Sequence, residues 1–141
     1  MSDVTITKSV FFAAPRETVW SFLTEKDKLA LWFHPAEADL ADGEDYALIE
    51  TAEDGAVTRI CWGTVLEMER YSRMVWAFTA QPLGGALTTV TWTLEDVSGG
   101  TKLSLLHEGI GAAAGEAAMK VLLSMDAGWD EHFGRLRRAA A

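Results

Sequence analysis

Toward the end of the chain, Met119, Leu122, Met125 or Asp126, Trp129, Phe133 and Leu136 recur every three to four residues. That spacing lays one apolar stripe along an α-helix. A helix from Gly115 to Arg138 would be about 35 Å long, enough to cross a small sheet. Glu116 with Lys120, and Glu131 with Arg135, place an acid four residues before a base on its surface. Such a stripe must be buried, and the preceding chain supplies the partner. From Asp39 to Glu108, glycine-marked turns at Gly43, Asp54-Gly55, Gly84-Gly85 and Gly99-Gly100 punctuate a series of five strand-like runs. These runs are Tyr46 to Thr51, Val57 to Glu69, Met74 to Ala80, Thr88 to Asp96 and Thr101 to Glu108. Turns this short imply antiparallel pairing, because parallel neighbours need long crossovers.

The N-terminal part adds a strand and two short helices. Val4, Ile6, Lys8, Val10 and Phe12 alternate with their neighbours at strand spacing, and Pro15 then suits the first position of a helix. Arg16 to Leu23 reads as a helix burying Val19, Trp20 and Leu23. Thr24 followed by Asp27 predicts an N-cap for a second helix, which His34-Pro35 ends. The stretch Gly109 to Ala118 is the connection into the long helix, and no linker or repeat divides residues 1–141, so one domain is expected. The fold class is α+β: a curved antiparallel sheet of about six strands wrapped around a long C-terminal helix.

Charge removes some functions. With 21 acidic and 12 basic residues the net charge is −9, which disfavours nucleic acid and anionic membrane surfaces as partners. The basic group Arg135, Arg137 and Arg138 suits a helix C-terminus instead. The single cysteine, Cys61, allows no internal disulfide and reads as a small buried residue. His34, His107 and His132 are too scattered for a metal site, and no cofactor fingerprint or phosphate loop is present, so neither a metal nor a cofactor is expected. Met1 to Lys8 lacks the apolar run of a secretory leader, and no stretch approaches the roughly 20 apolar residues of a membrane span. A cytoplasmic protein is the expectation.

Several motifs, in order, resemble the helix-grip fold of the START-like (SRPBCC) superfamily. They are Ala14-Pro15-Arg16-Glu17-Thr18-Val19-Trp20, Leu31-Trp32-Phe33, Gly63-Thr64-Val65-Leu66-Glu67, Gly99-Gly100-Thr101-Lys102-Leu103-Ser104-Leu105-Leu106-His107 and Gly128-Trp129. Within that superfamily they look most like the branch related to the C-terminal domain of the heat-shock protein 90 ATPase activator. The resemblance implies an internal cavity for hydrophobic ligands, in a superfamily that includes lipid carriers, aromatase/cyclases and chaperone regulators. Fold membership does not choose among these.

The residues expected to wall such a cavity are mostly aromatic: Trp32, Phe33, Tyr46, Trp62, Trp76, Phe78, Trp92 and Trp129. Strand parity groups Met74, Trp76 and Phe78 on one face, Val90, Trp92 and Leu94 on another strand's face, and Leu103, Leu105 and His107 on a third. Met119, Leu122, Leu123, Met125 and Trp129 would face them from the helix. Each ring also has a plainer reading as core filling. His107 is the polar candidate, either orienting a ligand, serving as acid or base, or bonded structurally to backbone near Glu108. His34 is expected in a solvated loop near the mouth, His132 at the edge of the helix stripe, and Asp126 exposed beside it.

Three functions follow as expectations. The first is binding of a small hydrophobic or aromatic ligand between sheet and helix. The second is a cyclase-like enzyme using His107, and the third a chaperone-regulator-like interaction module. A non-enzymatic role is favoured, and a homodimer through exposed sheet or aromatic surface is compatible with the sequence.

Overall fold

The computed structural model describes residues 5–140, so Val4 of the expected first strand lies outside the described residues. Six strands form one antiparallel sheet: β1 (Ile6–Phe12), β2 (Asp45–Thr51), β3 (Val57–Glu69), β4 (Arg73–Ala80), β5 (Thr88–Val97) and β6 (Gly100–Glu108). Their order is β1-β6-β5-β4-β3-β2, so the first and last strands pair while β2 takes the far edge. Helices α1 (Arg16–Thr24) and α2 (Lys26–Trp32) lie in the connection between the two edges. Helix α3 (Ile110–Ala114), a 3-10 turn at Gly115–Ala117 and the long α4 (Ala118–Ala139) complete the chain. The expected α+β helix-grip architecture is therefore present.

Register makes one face the core. Val65, Trp76, Val90, His107 and Ile6 stand in one row across β3, β4, β5, β6 and β1. Met74, Trp92, Leu105 and Lys8 form the next row. Register shifts between Leu48 and Ile49, and between Val65 and Glu67, interrupt the outer pairings, the kind of bulge that bends a sheet. Gly63 serves the same inner face. A Cβ there would collide with the Ala77 carbonyl, and instead the Tyr46 hydroxyl donates to that oxygen at 2.9 Å.

Against this face α4 buries Val121, Leu122, Trp129, Phe133 and Leu136. The interior is a mesh of rings: Trp32 and Trp76 meet Trp92 edge-on at 6.1 and 5.3 Å between centroids, and Trp129 meets it at 5.7 Å. Trp76 and Trp92 are fully buried, and their indole Nε1 atoms have no hydrogen-bond partner within the protein. Edge-to-face packing sets electropositive ring edges against π faces and offsets part of that cost.

Lys8 is the one charged residue on the inner rows named above. Its Nζ lies 2.7 Å from Asp126 and 2.9 Å from Asp130, one turn apart on α4. Burial works against the ammonium, but the two carboxylates outweigh it and raise its pKa.

Four local expectations are corrected. Thr24 does not cap α2: it ends α1, its hydroxyl donating to the Trp20 carbonyl at 3.1 Å, and Asp39 Oδ1 accepts the Lys26 N–H at 2.9 Å instead. The long helix starts at Ala118, because Gly115 adopts φ +59° and interrupts the run, leaving Ile110–Ala114 as a separate short helix. Met119 and Leu123 are exposed, since they sit at or beyond the edge of the stripe that Val121, Leu122 and Trp129 define. Neither Glu116–Lys120 nor Glu131–Arg135 forms an ion pair among the described residues. Arg135 bends inward to the Trp32 carbonyl instead.

Candidate ligand site

Strand alternation points His107 inward, as its phase with Leu103 and Leu105 requires. Its partners are side chains from β5 and α4 and not the backbone near Glu108. Trp129 Nε1–H donates to His107 Nδ1 at 3.1 Å. An Nδ1 that accepts leaves the proton on Nε2, which donates to Thr88 Oγ1 at 2.8 Å, and the Thr88 hydroxyl donates to the Phe78 carbonyl at 2.7 Å. Burial pushes the His107 pKa down to about 4. A second proton would have to enter at Nδ1, against the Trp129 N–H. Both nitrogens are occupied, so His107 locks Trp129 and offers no free edge to a ligand.

The space between sheet and helix is filled at its centre. Trp32, Trp76, Trp92, Leu103 and Leu105 are fully buried or nearly so, and Tyr46 and Leu122 are also buried. Trp62 points the other way. It pairs across the sheet with Ala47 and Thr79 and lies on the outer face, beside a polar groove with Arg59 and Glu37. Among the expected wall residues, Phe33, Phe78, Met125 and Trp129 do meet at an opening, a cleft of about 190 Å³ where α4 leaves the ends of β3 and β4. The rest of its lining comes from residues that the sequence did not single out as walls: Ile60, Cys61, Ala80, Gln81, Pro82, Ser124 and Gly128, with His34 and His132.

The chemistry of the cleft is mainly apolar. Burial pushes the Cys61 thiol up to about 12, so it is a neutral wall and not a nucleophile. His132 is held down at about 4 by burial, then by Arg135 and His34, and burial also lowers His34. Both imidazoles are therefore neutral near pH 7. Their rings meet edge-to-face at 5.5 Å, with Phe33 against His132 at 4.5 Å. Gly128 is the informative position. It lies inside α4, where glycine costs about 1 kcal/mol relative to alanine, and a Cβ built there meets nothing within 4 Å. Helix stability has been given up beside an open space.

Among the described residues no cluster of three or more histidine, cysteine or acidic side chains could hold a metal, and no helix is long and apolar enough to cross a membrane.

A six-stranded antiparallel sheet with paired short helices after β1 and a long closing helix places the protein in the START-like, helix-grip class. Within that class, residues 13–141 match the family described as Activator of Hsp90 ATPase homolog 1-like protein, and the chain belongs to it. No curated protein sequence matches significantly. Among solved structures, protein BH1534 of Bacillus halodurans is 26% identical over 100% of both chains, with a TM-score of 0.73. CalU16 of Micromonospora echinospora is 23% identical, covering 97% of this chain and 76% of its own, with a TM-score of 0.75. DynU16, a protein of the dynemicin biosynthetic locus, is 25% identical with a TM-score of 0.75. The chain is covered to 97% by that match but spans only 47% of DynU16.

Proposed function

We propose that this protein binds a small hydrophobic, ring-bearing molecule in the cleft between α4 and the ends of β3 and β4. The observation that carries this reading is Gly128, a helix-interior glycine whose missing side chain keeps the cleft open. A cleft of about 190 Å³ is smaller than the common drug-sized pocket. An engineered apolar cavity of about 150 Å³ takes up benzene, so the space suits one substituted ring, or the ring end of a longer molecule. Phe33, Phe78, Met125 and Trp129 supply its apolar contacts.

A catalytic role for His107 finds no support in its geometry, since neither ring nitrogen is free. The biosynthetic setting of DynU16 supports a small molecule in preference to a chaperone partner. Native mass spectrometry of gently purified protein is expected to show a retained small molecule, and Gly128→Leu, which fills the cleft while improving helix propensity, is expected to lose it. A wild-type protein that carries nothing and takes up no single-ring compound at millimolar concentration would remove the proposal.

A further inference from the structure

We propose that His132 is the polar recognition group of this cleft, donating its Nε2–H to an oxygen acceptor on a single-ring aromatic ligand, with Arg135 as the positioning residue that sets its tautomer. The inference rests on the ligand-binding reading above. Arg135 Nη2 lies 2.6 Å from His132 Nδ1, while Arg135 Nε donates to the Trp32 carbonyl at 3.1 Å. A guanidinium cannot accept, so Nδ1 must be the acceptor, although the same carbonyl lies 3.3 Å from it. A neutral imidazole that accepts at Nδ1 carries its proton on Nε2. The two nitrogens flank Cε1 and their bonding directions diverge widely, so holding Nδ1 against the end of α2 turns Nε2 away from it. No protein group bonds Nε2 among the described residues.

The surroundings define the ligand class. The His132 donor, its tautomer fixed by Arg135, stands in a lining dominated by Phe33, Phe78, Met125 and Trp129, with His34, Gln81 and Ser124 as the other polar side chains. It favours a ring carrying an acceptor oxygen, such as an aryl ketone or phenol. Cations are disfavoured, because no carboxylate lines the cleft and Arg135 stands directly behind His132.

Acetophenone and ethylbenzene have nearly the same shape and differ in the carbonyl oxygen. Calorimetric titration of the wild type is expected to show acetophenone binding roughly three- to tenfold tighter, the range of one net hydrogen bond. In His132→Phe, which keeps a ring but not the donor, the preference for acetophenone should vanish or reverse, because its oxygen would be buried without a partner. Imidazole ¹⁵N spectra of the unliganded wild type should show His132 protonated at Nε2, and Arg135→Met should lose that single-tautomer signature. If neither compound binds, the ligand-binding reading fails and this inference with it. If both bind alike in the wild type, or the preference survives in His132→Phe, the cleft stands and the role of His132 is overturned. An Nδ1–H signature in the wild type overturns it too, whether or not the variants fold.

Discussion

His107 shows how a residue's phase can be legible while its purpose is not. Its place after Leu103 and Leu105 points it inward, but Thr88 and Trp129, which occupy its two nitrogens, come from a neighbouring strand and from a helix 22 residues further on. No local pattern encodes such partners. The arrangement has a pH consequence. The unfolded chain binds a proton at this histidine near about pH 6.5, whereas the folded one resists it until about 4. Stability contributed here is intact above about pH 6.5 and declines as pH falls through that window, by up to about 1.4 kcal/mol per pH unit. Urea unfolding across pH 4–7 should show this slope, and His107→Gln should flatten it by close to one proton. Trp129, held by the same bond and buried among Phe78, Trp92 and Phe133, should cost about 3–5 kcal/mol when cut to alanine. A measured loss below about 0.5 kcal/mol would contradict its place in the core. Trp62 was misplaced for a simpler reason: Ile60, Cys61 and Trp62 form an unbroken apolar run, and such a run carries no alternation from which to read a face.

At the scale of elements the strands were readable because most are bounded by glycine turns, and five of the six begin and end within a residue of expectation. Helix beginnings were less readable. Thr24 has the composition of a cap, yet a threonine can equally bond backward to the helical carbonyl one turn before it, and the true cap, Asp39, is distant in sequence. Gly115 lies within an otherwise helical composition and reveals its left-handed φ only in the folded backbone. Two glycine substitutions separate the reasons for glycine here. Gly63→Ala forces a Cβ into the Ala77 carbonyl and should destabilise by at least about 2 kcal/mol in denaturant unfolding. Gly128→Ala meets open space within α4 and should stabilise by about 0.5–1 kcal/mol. Opposite signs at the two positions are the expected result.

For the whole molecule, composition and order of elements gave the sheet-and-helix architecture, while the location of its opening was hidden. Six tryptophans can either wall a cavity or fill it, and only the packing distinguishes these outcomes. Here the rings fill the centre, and the space survives at the end where Gly128 and Ala80 are small. Lys8 bears on what the molecule does in a concentrated solution. It stands on β1, which pairs only with β6 and forms one edge of the sheet, between buried Ile6 and Val10 and close to an exposed Phe11. Without its charge the inward face of the strand, with Ile6, Val10 and Phe12, would be apolar throughout and readier to add to the edge of another copy. Lys8→Val should therefore self-associate with rising concentration in sedimentation velocity, even where its unfolding free energy is hardly changed. A single inward-facing ammonium, claimed by two carboxylates of the closing helix, acts as a guard against polymerisation.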